Sequence, residues 1–76
     1  MSYGYSLRLV QLNRAAKSSL LGVRLGRLCI QHNVPVSVVA DRCKVSRPTV
    51  YNWFIGVSNP SESNIGIVEE MISELE

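Results

Sequence analysis

The sequence has little of what marks membrane, secreted or metal-binding proteins. No apolar run approaches the roughly 20 residues that a membrane-spanning helix needs, and no basic segment followed by an apolar one suggests a signal peptide. The two cysteines, Cys29 and Cys43, are too few for a disulfide framework, so we expect a reduced, cytoplasmic protein. Together with His32 they are one ligand short of a structural zinc site, and both stand at apolar positions. We therefore predict buried thiols rather than a metal site.

Residues suited to catalysis are equally scarce. Asp41 is the one acidic residue before Glu62, and the sole histidine has no evident triad partners. No glycine-rich loop of the kind that cradles phosphates occurs. The sequence thus predicts neither an enzyme nor a bound cofactor.

Charges of the two signs are separated along the chain. All 8 lysines and arginines lie within residues 1–61, where Asp41 is the one acid, so that stretch carries a formal charge of +7. Five glutamates give residues 62–76 a charge of −5. The asymmetry points to an anionic partner for the first part, most simply nucleic acid. The acidic end is left for packing or for a protein partner.

The length, 76 residues, allows one small domain whose core is marginal enough to favour oligomerisation. Apolar periodicity and capping residues predict four helices, at 20–33, 38–43, 47–55 and about 62–75. Pro48 fits the first turn of a helix, and Gly56 suits a left-handed helix end. Gly22 and Gly26 each cost about 1 kcal/mol inside a helix relative to alanine, which suggests either close approach of another backbone or a weak spot.

The start of the chain, residues 1–18, is interpreted as an N-terminal arm on a domain at residues 19–76. Tyr3, Tyr5 and Leu7 alternate with small or polar residues, which is strand periodicity. From Leu7 onward the pattern fits a helix equally well. A lone strand would need its copy in another subunit as a partner, and both interpretations of the arm stay open.

The most informative stretch is residues 36–54, with the sequence VSVVADRCKVSRPTVYNWF. Ala40 is a small residue where two helices would cross, and apolar residues in register face the core at Val39, Cys43, Val45, Val50 and Trp53. This pattern resembles the helix-turn-helix of the lambda-repressor and Cro-type family, and with its flanks the similarity extends over residues 19–75. The family usually has a left-handed glycine at the turn, where this chain has Lys44.

The resemblance implies a compact all-α domain of four to five helices that binds double-stranded DNA sequence-specifically. A domain of this size without an effector module is similar to phage Cro-like repressors, which act by covering a promoter. The expected assembly is a homodimer on a near-palindromic operator, with no small-molecule effector. The resemblance therefore predicts a transcriptional regulator.

One face of the helix predicted at 47–55 is free to read DNA, because its outward residues fall within an arc of about 140°. The residues predicted to read bases are Arg47, Pro48, Tyr51 and Asn52. The residues predicted to contact phosphates are Ser37, Lys44, Ser46, Thr49, Asn59 and Ser61. Arg47 would pair with guanine, Asn52 with adenine or a phosphate, and Trp53 and Phe54 are expected in the core.

Dimerisation is assigned to residues that a four-helix core does not obviously need. These are Ile67, Met71, Tyr3 and Tyr5. Two other functions stay open beside the regulator. One is a protein-binding adaptor, such as a phage packaging or polymerase-binding module built on the same fold, and the other is a weakly specific DNA-coating protein.

Overall fold

A computed structural model describes residues 5–76, and this part of the chain forms a bundle of five α-helices without a strand. The helices are α1 (Leu7–Ala15), α2 (Leu21–Gln31), α3 (Val36–Cys43), α4 (Arg47–Phe54) and α5 (Glu62–Leu75). The helix α2 is central, since it packs against α1, α4 and α5, while α3 packs against α4 and α5. The predicted all-α class is confirmed. Within the described residues no helix combines the length and the apolar character needed to span a membrane.

The segment that the sequence left open between strand and helix is helical from Leu7 onward. Ser6 begins the helix, because its Oγ accepts a hydrogen bond of 3.1 Å from the backbone N–H of Leu9. Ahead of α1, Tyr5 is buried and its hydroxyl donates to the carbonyl oxygen of Val34 at 2.6 Å. Tyr5 therefore lies in the domain core and α1 packs against α2, whereas Tyr3 lies outside the described residues.

Four of the eight predicted helix ends move by one or two residues, and two of them belong to α2, which covers Leu21–Gln31 instead of 20–33. The helix α3 begins at Val36, two residues before the predicted start, and Pro35 occupies its N-cap position without a side-chain hydrogen bond. Ser37 therefore lies inside the first turn. The helix α4 ends at Phe54, and Gly56 follows with a φ of 80°, which confirms the predicted left-handed helix end.

The glycines of α2 allow α4 to approach it closely. A Cβ atom on Gly22 would lie 2.7 Å from the Cβ of Trp53 and 2.8 Å from its carbonyl oxygen. A Cβ atom on Gly26 would lie 2.8 Å from the Cγ of Phe54. Of the two interpretations, close approach of another backbone is therefore confirmed for Gly22, whereas the atoms nearest to Gly26 belong to the side chains of Phe54 and Asn13.

Both cysteines are buried and unpaired in the core, as predicted. Burial raises the pKa of the Cys29 thiol to about 12 and also raises that of Cys43. Among residues 5–76 no group of three or more His, Cys, Asp and Glu side chains is placed to hold a metal ion. In the described structure both thiols serve as small apolar core groups.

The assignment of Met71 and Tyr5 to dimerisation rested on a wrong premise. Met71 is 3% exposed and Tyr5 is 9% exposed, and both belong to the core cluster of the single chain. Ile67 is half-buried and packs against that cluster. Met71 lies on α5, which packs against α2 and α3, and Tyr5 precedes α1, which packs against α2. Little of Met71 or Tyr5 is left for a second subunit.

Candidate nucleic-acid interface

The connection between α3 and α4 is a three-residue turn in which Lys44 adopts a left-handed conformation, with φ 57° and ψ 46°. The carbonyl oxygen of Ala40 accepts hydrogen bonds from the N–H groups of both Lys44 and Val45. A residue other than glycine is disfavoured in this conformation by about 1–2 kcal/mol. Lys44 thus adopts the left-handed conformation in which the resembled family usually has glycine, and its exposed side chain projects from a strained backbone.

Ser46 starts α4 and sets the direction of its first turn. Its Oγ accepts a hydrogen bond from the N–H of Thr49 at 3.4 Å and lies 2.8 Å from the Thr49 hydroxyl. Pro48 occupies the first turn, where its missing N–H removes no helical hydrogen bond. The two hydroxyls thus already serve the helix start, and each keeps lone pairs or a proton for a further partner.

The helix α4 has one packed and one open side, as the sequence predicted. Its packed side consists of the buried residues Val50, Trp53 and Phe54. Its open side carries the residues predicted to read bases: Arg47, Pro48 and Asn52 are exposed, and Tyr51 is half-buried. Trp53 and Phe54 are core residues, as expected.

The residues predicted to contact phosphates fall into two groups. Lys44, Ser46 and Thr49 lie at the N-terminal end of α4. Asn59 and Ser61 are exposed in the segment between α4 and α5, beyond the other end of α4, which is about 12 Å long. Ser61 begins α5, and its hydroxyl lies 3.0 Å from that of Ser63. Ser37 is half-buried within the first turn of α3.

The acidic end of the chain is a counterion for part of the basic stretch. Arg42 donates hydrogen bonds to Glu74 at 3.0 Å and to Glu70 at 3.4 Å. The hydrogen bond to Glu74 is the largest contribution to the raised pKa of the Arg42 guanidinium. Arg24 forms an ion pair with Glu76 at 2.9 Å. Basic residues of the first part of the chain therefore form ion pairs with glutamates of its acidic end. The distribution of charge along the sequence did not reveal these pairs.

The remaining basic residues divide by what they contact. The Nη2 of Arg27 donates to the carbonyl oxygens of Asn13, Arg14 and Ala16 at the end of α1. Within residues 5–76 no ion pair engages five basic side chains: Arg8, Arg14, Lys17, Lys44 and Arg47. Lys44 lies in the turn before α4 and Arg47 begins that helix, so no carboxylate of the described residues pairs with the positive charge at its start.

Asn13 positions α4 and was not among the predicted residues. Its Nδ2 donates to the carbonyl oxygen of Phe54 at 2.6 Å and to that of Val23 at 3.3 Å. Phe54 is the last residue of α4, so its carbonyl lacks a partner inside the helix. A polar residue on the apolar side of α1, between Leu9 and Val10 on a helical wheel, is the signal that would have identified Asn13.

Comparisons of this chain with protein-family models, with curated proteins and with solved structures found no match. The chemistry of the surface around α4 therefore follows from its own groups. They are the guanidinium of Arg47, the ammonium of Lys44, the amide of Asn52 and the hydroxyls at the helix start. None of the residues predicted to contact DNA is acidic, and the set suits phosphate oxygens and base edges.

Proposed function

We propose that this protein binds double-stranded DNA sequence-specifically and regulates transcription, as a Cro-like repressor that occupies a promoter. One observation carries the proposal: α4 buries Val50, Trp53 and Phe54 while it leaves Arg47 and Asn52 exposed beside the unpaired Lys44. A helix with one packed side and one open polar, basic side is what major-groove recognition requires.

The dimensions of α4 are compatible with this role. Eight residues make a helix about 12 Å long and, with side chains, about 10–12 Å across, while the major groove of B-DNA is about 12 Å wide. Arg47 at the start of the helix is suited to donate two hydrogen bonds to guanine O6 and N7. Asn52, one and a half turns later, is suited to an adenine or to a phosphate, and Tyr51 to a thymine methyl group.

Phosphate contacts supply the register and much of the affinity in the proposed complex. Lys44 contributes charge at the turn, while Thr49 and Ser37 contribute hydroxyls near the N-terminal ends of α4 and α3, where helix dipoles favour anions. Asn59 and Ser61 reach the backbone from the segment after α4. Arg42 is not among the proposed contacts, and its side chain pairs with Glu70 and Glu74.

The proposed regulator acts in the cytoplasm or nucleoid of a bacterial cell as a homodimer on a near-palindromic operator. Two copies of α4 would lie about 34 Å apart, one helical turn of DNA. Of the predicted dimerisation residues within the described part of the chain, Ile67 keeps a partly exposed side chain.

Selection of bound sequences from random double-stranded DNA tests the proposal. A sharp motif with two related half-sites supports a regulator. Weak enrichment would instead indicate a DNA-coating protein, and absence of binding would indicate a protein adaptor. Either result overturns the proposal.

The matched variants for this selection are Arg47→Ala and Arg8→Ala. Both remove an exposed arginine, but Arg8 belongs to α1 rather than to α4 or to the turn before it. We expect the motif to change with Arg47→Ala and to persist with Arg8→Ala.

The affinity of the wild-type protein should fall steeply as salt rises, because bound phosphates release counterions.

A further inference from the structure

A groove of about 480 Å³ lies between α1 and α2, and no residue of α4 lines it. Its size falls within the range of about 300–1,000 Å³ that is typical of small-molecule sites. Val10 and Ile30 provide an apolar part of the wall. Polar and basic groups complete it: Asn13, Arg14, Arg27, Gln31 and Asn33.

The charge in this groove has one sign. Among the described residues that line it, the ionisable ones are Arg14 and Arg27, which are both cationic, and none is a carboxylate. Within residues 5–76 no hydrogen bond or ion pair engages the guanidinium of Arg14 or the side-chain amides of Gln31 and Asn33. The groove therefore holds donors that no described residue satisfies.

Arg27 is held in place by the protein backbone. Its Nη2 donates to carbonyl oxygens of Asn13, Arg14 and Ala16 at distances of 3.2–3.5 Å. These bonds orient the guanidinium, while its Nη1 and Nε have no acceptor among residues 5–76. A guanidinium oriented in advance loses less entropy when it binds an anion, and the Nη1 of Arg27 can donate a charge-assisted hydrogen bond to one carboxylate oxygen.

We infer that this groove binds a small organic anion, in which a carboxylate contacts Arg14 and Arg27 and a short apolar chain packs on Val10 and Ile30. The apolar half distinguishes such a ligand from inorganic phosphate, which offers no surface to those two side chains. The carboxylate distinguishes it from an amine of the same length, which the arginines would repel. This site does not depend on whether α4 binds DNA.

Titration of the ¹⁵N-labelled full chain with hexanoate, hexylamine and inorganic phosphate, followed by backbone amide shifts, tests the inference. We expect hexanoate to saturate with a dissociation constant of about 1 mM, as suits a ligand of this size. The shifted amides should include those of Val10, Ile30, Gln31 and Asn33. Hexylamine should leave them unchanged, and phosphate should bind at least tenfold more weakly than hexanoate.

Variants at exposed positions of α1 separate this site from surface charge in general. Arg14→Glu should weaken hexanoate binding at least tenfold, whereas Arg8→Glu, the same charge reversal on the same helix but outside the groove, should change it less than twofold. Arg14→Glu leaves the bonds of Arg27 in place, so its amide spectrum should remain that of a folded protein. The inference is overturned if hexanoate causes no saturable shift, if phosphate binds as well as hexanoate, or if the two reversals act equally.

Discussion

The side-chain amide of Asn13 donates a 2.6 Å hydrogen bond to the backbone carbonyl oxygen of Phe54, 41 residues later in the chain. Through this contact α1 supplies the partner that the last carbonyl of α4 lacks within its own helix. The end of α1 is in turn held by Arg27 of α2. The helix proposed to read DNA is therefore anchored at its C-terminal end by a helix that the sequence placed in an arm.

Replacement of Asn13 by alanine should lower the free energy of unfolding by about 1–3 kcal/mol, because it leaves the carbonyl of Phe54 buried without a donor. Urea unfolding, followed by the fluorescence of Trp53, measures the loss, since this is the one tryptophan and it is buried. Gln11→Ala is the control, as Gln11 is exposed on the same helix. Equal effects of the two substitutions would contradict a specific role for the Asn13 amide.

Two glycine-to-alanine substitutions should have opposite effects on stability. A methyl group on Gly22 would lie 2.8 Å from the carbonyl oxygen of Trp53, so Gly22→Ala should destabilise the fold by about 1–3 kcal/mol. Gly66 in α5 has open space around its Cα, so Gly66→Ala should stabilise it by roughly 0.5–1 kcal/mol through helix propensity. Thermal unfolding of the two variants compares them, and a neutral Gly22→Ala would show that α2 and α4 can separate without cost.

Lys44→Gly should raise stability by about 1 kcal/mol, since glycine adopts the left-handed conformation without strain. Lys44→Ala keeps the strain and should not stabilise. Both variants remove the same charge, so both should bind DNA more weakly and reduce the salt dependence of binding by about one phosphate contact. Gel-shift titrations at several salt concentrations measure this slope, and an unchanged slope would place Lys44 away from the DNA.

Arg47→Ala should cost about 1–3 kcal/mol of binding free energy on the selected sequence and relax the preference at one base pair. The reason is the loss of two hydrogen bonds to a base edge. Binding to the selected sequence and to random DNA is compared by fluorescence anisotropy. If the variant loses equal affinity for both, Arg47 contacts a phosphate rather than a base.

Stability should decline as pH rises above about 9. Burial raises the pKa of Cys29 from 9.0 to about 12 in the folded protein and raises that of Tyr5 as well, so the unfolded chain loses these protons first. Each group then lowers the free energy of unfolding by up to about 1.4 kcal/mol per pH unit. Urea unfolding between pH 8 and 10.5 should show a shallower decline for Cys29→Ala than for the wild-type chain. If the free energies of unfolding of the variant and of the wild-type chain fall equally with pH, the Cys29 thiol ionises in the folded state.

Much of the fold could be predicted because its signals are local. The positions of α2 to α5 follow from apolar periodicity and from Ser46, Pro48 and Gly56 near the ends of α4. The packed and open sides of α4 follow from the same periodicity. Residues 5–9 could not be resolved in this way, because alternation in that short segment satisfies a strand and a helix equally well.

What the sequence by itself determined is a set of amphipathic helices, a left-handed helix end at Gly56, and basic and acidic residues at opposite ends of the chain. Only the tertiary structure decided that Asn13 and Tyr5 lie in the core and that Arg42 is neutralised by Glu74. The physical reason is the range of the contacts. Helix formation and capping join residues up to four apart, whereas the Arg42–Glu74 pair joins residues 32 apart, and no local pattern encodes which distant groups will meet.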